Sequence, residues 1–115
     1  MKTKNSNKDI QLIEKLINFN LKIITFFQTD LTKYKILLIV MRDYYKGQNI
    51  SIEKIIEDLP LDISSRAHKL NCITDATNRG YLIKQISKSD LRKKYLKPSQ
   101  NLVEEFNNYL KLLLE

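Results

Sequence analysis

Between Gly47 and Gly80 the chain carries a short apolar-periodic segment, a proline-marked turn and a longer polar segment, a spacing that few folds accommodate. Ile52, Ile55, Ile56 and Leu59 fall at i, i+3, i+4 and i+7, the one-sided pattern of a short amphipathic helix, with Ser51 placed to cap it. Pro60 stops that helix, because proline has no N–H to give and its ring clashes with the preceding turn. Asp62 or Ser64 then caps a second helix that runs to Arg79 and ends at Gly80, a residue able to take the left-handed C′ conformation. Short helix, tight turn, longer polar helix is the helix-turn-helix arrangement.

Only two Gly and two Pro occur in 115 residues, so turn signals are few and long helices are favoured elsewhere. Residues 1–7 are polar and read as a flexible tail, and residues 8–115 as a single domain. From Lys8 to Gln28 a helix carries a narrow polar stripe of Gln11, Glu14, Lys15, Asn18, Lys22 and Thr25, and is apolar around the rest of its circumference. Such a helix must bury two sides, in the core or against another copy of the chain. Asp30 caps a core helix from Leu31 to about Lys46, in which Tyr34, Leu37, Leu38, Met41 and Tyr45 recur at helical spacing and Ile36, Ile39 and Val40 widen the face. Gly47 ends it. Beyond Gly80, Tyr81 to Ser87 and Arg92 to Lys97 read as a hairpin around Lys88-Ser89-Asp90-Leu91. Pro98 and Ser99 open a last helix with an apolar face of Leu102, Val103, Phe106, Tyr109, Leu110 and Leu113. The expected fold is mainly α with a small β-hairpin: a winged helix-turn-helix with N- and C-terminal helices suited to dimerisation.

The net charge of +7 is uneven. Residues 61–97 hold nine Lys/Arg against three Asp/Glu, whereas residues 98–115 are net negative. A basic segment between less basic flanks suits a polyanionic partner; a solvated Lys-rich surface would carry the same charge. The apolar runs are far shorter than the roughly 20 residues of a membrane-spanning helix, and no leader pattern opens the chain. With one cysteine, a reducing cytoplasmic setting is expected, with association to the nucleoid when bound to DNA. No Gly-rich phosphate loop, nucleophile elbow or zinc-helix motif is present, so neither an enzyme nor a bound cofactor is expected. His68 is the sole histidine and no metal-ligand spacing surrounds it in sequence, so no metal site is expected either. Cys72 reads as a small buried packing residue in preference to a redox switch.

This order of elements, with Arg79-Gly80-Tyr81-Leu82-Ile83 followed by Asp90-Leu91-Arg92 and then Leu96-Lys97-Pro98-Ser99, resembles the MarR family of winged-helix regulators from about Tyr34 to Leu110. The resemblance implies a homodimeric transcriptional regulator that binds double-stranded DNA. Within it, Asp90 orients Arg92 toward the minor groove. A small-molecule effector is a family habit, and no residue here names one.

The residues themselves say where DNA would lie. A recognition helix needs hydrogen-bonding side chains near its N-terminus, because base edges in the major groove are read by donors and acceptors. Ser64, Ser65, Arg66, His68, Lys69 and Asn71 supply them. Phosphates need cations gathered on one face, which Lys88, Arg92, Lys93 and Lys94 provide on the hairpin. Charge that keeps an exposed edge hairpin from aggregating is the alternative explanation of those lysines. The expected dimer seam joins Phe19, Leu21, Ile23 and Phe27 to Leu110, Leu113 and Leu114. Two other functions suit the same fold: a module that docks a protein or structured RNA, and a replication or plasmid-maintenance protein that binds DNA without regulating transcription.

Overall fold

The computed structural model describes residues 7–11, 13, 21–60 and 64–114. In chain order the elements are helix α1 (Lys22–Gln28), helix α2 (Leu31–Tyr45), strand β1 (Ile50–Ser51), helix α3 (Ile52–Asp58), helix α4 (Arg66–Asn78), strand β2 (Leu82–Ile86), strand β3 (Lys94–Pro98) and helix α5 (Gln100–Leu114). Residues 7–11 and 13 are also helical, with Ile10 and Ile13 exposed.

The expected unbroken helix from Lys8 to Gln28 is corrected at Leu21, whose φ of −101° and ψ of 43° are non-helical. Leu21 is buried, and α1 starts afresh after it to pack against α2 and α5. Glu105 of α5 fixes that start: its Oε2 accepts the Ile24 N–H at 2.6 Å. Leu21, Ile23, Ile24 and Phe27 bury themselves in the chain's own core. The expected seam therefore loses Leu21, Ile23 and Phe27 to intramolecular packing, while Leu113 and Leu114 stay exposed and Leu110 is partly buried. Phe19 lies outside the described residues, as does the expected tail apart from helical Asn7.

Helix α2 is the central beam, in contact with α1, α3, α4, β1 and β3. Asp30 caps it as expected, its Oδ1 accepting the N–H groups of Thr32 at 2.7 Å and Lys33 at 3.2 Å. Its buried seam is Thr32, Ile36, Leu37, Val40 and Met41, one i, i+4 ridge with its neighbours. Leu38 and Tyr45, expected inside, are exposed because that ridge turns them outward. At the other end Gly47 has φ of 75°, and a Schellman cap forms: Gly47 N–H donates to Tyr44 O and Gln48 N–H to Asp43 O.

Sequence periodicity expects two strands; the sheet has three, in the order β1-β3-β2, all antiparallel. The extra strand is the two-residue β1, which sets Ile50 opposite Leu96. On the other side of β3, Leu82 pairs with Pro98 and Lys84 with Leu96. Ile50, Leu82, Leu96 and Pro98 are all buried where the sheet meets the helices. Farther out Ile83 and Ile86 are exposed, so the β2–β3 hairpin leaves the core and projects. Helix α5 begins after Ser99, whose Oγ accepts the Leu102 N–H at 3.1 Å; Pro98, expected in the helix opening, ends the strand instead.

Candidate nucleic-acid interface

Helix α4 is positioned from both ends. Ser65 is its N-cap, with Oγ accepting the His68 N–H at 3.1 Å. Of the two caps expected, Ser64 instead accepts a hydrogen bond from Thr32 Oγ1 at 3.0 Å, and Asp62 is outside the described residues. At the C-terminus Gly80 takes φ of 78°, and Gly80 N–H and Tyr81 N–H bond to Thr77 O and Ala76 O, again a Schellman motif. A Cβ at position 80 would meet no atom but would strain this left-handed turn. Because Ser65 is spent on the helix end, Ser65→Ala is expected to lower unfolding stability by about 1 kcal/mol in urea titration.

Cys72, Ile73 and Ala76 face the core, as expected for the inner side of α4. So does Lys69, which corrects its place among the DNA-facing cations. It is 1% exposed, and its Nζ donates to Leu59 O at 3.4 Å. That carbonyl lies at the C-cap of α3, where the helix leaves acceptors unsatisfied and a cation is favoured by the dipole. Lys69 thus joins the two helices of the helix-turn-helix. The outward side of α4 is a clean stripe of Ala67, Asn71, Thr74 and Asn78, spaced i, i+4, i+7 and i+11. Asn71 was legible from the sequence; Thr74 and Asn78 belong to the same stripe, which only the phase of the helix discloses.

The hairpin tip has no glycine, and side chains do the work of one. Ser87 Oγ accepts the N–H groups of Ser89 and Asp90 at 3.3 Å each, Lys93 N–H donates to Asp90 O, and Ser87 N–H donates to Lys93 O. Asp90 Oδ1 in turn accepts both the Arg92 N–H at 3.0 Å and Arg92 Nε at 3.3 Å. Arg92 is thereby aimed while its side chain remains 93% exposed. Lys88, Lys93 and Lys94 are exposed around it.

Pairing parity puts Lys84 and Lys94 on the same face of the hairpin as buried Leu82 and Leu96, but beyond the core. There they line an open groove of about 480 Å³ together with Arg92, Lys93 and, from α4, Arg66 and Leu70. Lys84 is a cation that sequence reasoning passed over; its register with Leu96 identifies it. Arg66 donates from Nη2 to Glu53 Oε1 at 2.7 Å, and both side chains are largely exposed. An ion pair so accessible to water is worth little, so Arg66 can exchange it for another anion.

His68 turns its Nε2 to Asp30 Oδ2 at 3.0 Å, and Cys72 Sγ lies 3.5 Å from the same nitrogen. The expectation that nothing ligating surrounds His68 is therefore corrected: an aspartate 38 positions away completes a three-residue group. Burial pushes the Cys72 thiol up from its ordinary pKa, and the Asp30 charge adds to the rise, so the thiol is a poor nucleophile in this setting. Asp30 is held below the usual carboxylate range: its burial would raise it, but the Lys33 N–H, the His68 bond and the Thr32 N–H outweigh that.

No helix among the described residues is long and apolar enough to cross a membrane. No protein-family model and no curated protein matches the chain. Solved structures do. A heme sensor protein, PefR from Streptococcus agalactiae, in complex with heme, aligns over 96% of this chain and 74% of its own, at TM-score 0.54 and 20% identity. A MarR-like transcription regulator from Bacillus cereus aligns over 98% and 80%, at 0.56 and 17%. Overoxidized AbfR bound to DNA aligns over 97% and 82%, at 0.52 and 17%. At such identities the likeness speaks for the fold, and the chain folds as a winged helix of the MarR type.

Proposed function

We propose that the protein is a DNA-binding transcriptional regulator that lays α4 in a major groove and the β2–β3 hairpin along the adjoining backbone. The observation that carries this reading is the groove in which Arg66 at the start of α4 and Lys84, Arg92, Lys93 and Lys94 of the wing converge, with Asn71 and Thr74 exposed on the same helix. Cations gathered on one concave side neutralise phosphates, and a face of amide and hydroxyl groups reads base edges. The aimed Arg92 is suited to a minor groove, whose electrostatic potential attracts arginine. The DNA-bound AbfR structure shares the fold and supports the same reading. A regulator of this kind needs no catalytic chemistry.

Two copies would present two such surfaces, with exposed Leu113 and Leu114 of α5 available to the contact. Selection of bound duplexes from a random pool, followed by footprinting on a winning site, tests both levels. The expected site is pseudopalindromic, with half-sites one helical turn apart. Recovery of a lone half-site would contradict the dimer, and recovery of no consensus would contradict sequence reading. On that site Asn71→Ala is expected to lose about tenfold in affinity, roughly 1.4 kcal/mol, with little loss on random duplex. Equal losses on both would remove Asn71 from base recognition. Structured RNA competing as well as duplex would favour the interaction-module alternative.

A further inference from the structure

The group of Asp30, His68 and Cys72 is not used by the DNA-binding surface, yet its three chemistries are those of a metal centre. One oxygen of Asp30, the Nε2 of His68 and the Sγ of Cys72 lie within 4.8 Å of one another. His68 Nε2 stands 3.0 Å from Asp30 Oδ2 and 3.5 Å from Cys72 Sγ. A tetrahedral ion with metal–oxygen and metal–nitrogen bonds near 2.0–2.1 Å and a metal–sulfur bond near 2.3 Å holds its ligand atoms roughly 3.3–3.8 Å apart. The His68–Cys72 spacing falls inside that range, and the His68–Asp30 spacing lies just below it.

We propose that Asp30, His68 and Cys72 bind one divalent ion of the zinc class, with water in the fourth position. Several features favour this over a plain hydrogen-bonded relay. His68 and Cys72 are four residues apart on α4, so the helix presents both ligands on one side. Asp30 comes from the turn before α2, and its other oxygen is already fixed by the Thr32 and Lys33 N–H groups. That outer bonding holds the ligating oxygen in place before an ion arrives. Sulfur is buried while the aspartate and histidine are partly exposed, which leaves the open position toward solvent. The mixed sulfur, nitrogen and oxygen set suits zinc better than magnesium or calcium.

Charge also balances. One carboxylate and one thiolate match a dication, and binding transfers the Cys72 thiol proton to solvent as the sulfur–metal bond forms. The neighbouring charges that bear on the sulfur are Lys33 and Asp75, and these are paired with each other at 3.3 Å. Lys33 also lies over the Phe26 ring at 4.5 Å from its centre. A bound ion would tie α4 to the α1–α2 turn, a second attachment beside Lys69.

Titration of the reduced full chain with Co²⁺ tests this independently of DNA. The expected result is one equivalent per chain, tetrahedral visible bands and a thiolate-to-cobalt charge-transfer band, all displaced by Zn²⁺. Cys72→Ser should abolish the charge-transfer band. His68→Ala and Asp30→Asn should each weaken Co²⁺ affinity at least tenfold, the loss that even outer partners of a metal site produce. Asparagine caps helices as well as aspartate, so Asp30→Asn keeps α2 intact, and circular dichroism of each variant checks the fold. Absence of the band in the parent chain, its persistence in Cys72→Ser, or affinities unmoved by Asp30→Asn and His68→Ala would each overturn the site.

Discussion

Replacing Arg92, Lys93 and Lys94 together by Ala is expected to weaken duplex binding about a hundredfold at moderate salt, on the order of 1 kcal/mol for each phosphate left without its cation. All three side chains are exposed, and none contributes to the core. Among the described residues the partner given up is Asp90, paired with Arg92, and that pair is too accessible to water to matter for folding. The thermal midpoint should therefore hold while affinity falls. The loss should also be uniform across sequences, because binding to phosphates positions a protein without reading bases. The slope of log affinity against log salt should become shallower by about 3, close to one for each cation removed. A variant that binds duplex as tightly as the parent would return the wing lysines to the role of charged edge protection.

Lys69 should behave in the opposite way. Lys69→Ala is expected to cost about 2–4 kcal/mol in urea unfolding, from the cavity left by the aliphatic stem and the Leu59 carbonyl left without its donor. Lys69→Met keeps most of the stem's volume and removes a buried charge that was itself costly to desolvate, so it should recover much of that loss. Both helices of the helix-turn-helix meet at this side chain, through its bond to the Leu59 carbonyl. Neither variant should change the salt slope of duplex binding. A slope lowered by about one in Lys69→Met would mean that Lys69 swings out to a phosphate.

The two lysine sets show what local sequence could and could not disclose. Ser51, Asp30, Gly47 and Gly80 announced the ends of their helices because caps and left-handed turns are chosen by residues next to one another in the chain. The Asp90-x-Arg92 geometry was legible for the same reason: the bond spans two residues. Lys69 was misplaced because its polarity pointed outward while its partner, the α3 carbonyl, is ten residues away and backbone. Lys84 was passed over since its companions on the groove depend on register with β3. Strand β1 has two residues, too few for alternation to register, and exists because β3 offers an edge. Leu21 interrupts an otherwise helical pattern because tertiary packing of α1 against α5 prevails over local propensity. The Asp30–His68–Cys72 group joins segments 38 residues apart, so only the fold reveals it.

The stripe on α4 marks an intermediate case. Ala67, Asn71, Thr74 and Asn78 carry helical spacing in the sequence, but the inner face of this helix is so sparsely apolar that periodicity alone leaves its phase ambiguous; the burial of Cys72, Ile73 and Ala76 fixes it. With the phase settled, the outward face of α4 carries Asn71 and Thr74, and the same helix lends Arg66 and Leu70 to the wing groove. Lys84, Arg92, Lys93 and Lys94 are the groove's exposed cations on the wing, with Arg66 at the head of α4, and Lys88 stands exposed near the hairpin tip.

Fluorescence anisotropy of a selected duplex, titrated with the full chain from low to moderate salt, bears most directly on these cations. With five wing cations, the expected slope of log affinity against log salt is about −4 to −5 for each copy bound, shallower by about 3 in the Arg92, Lys93 and Lys94 variant. A parent slope near zero, or no binding at low salt, would contradict a phosphate-binding wing and with it the assignment of this winged helix to DNA.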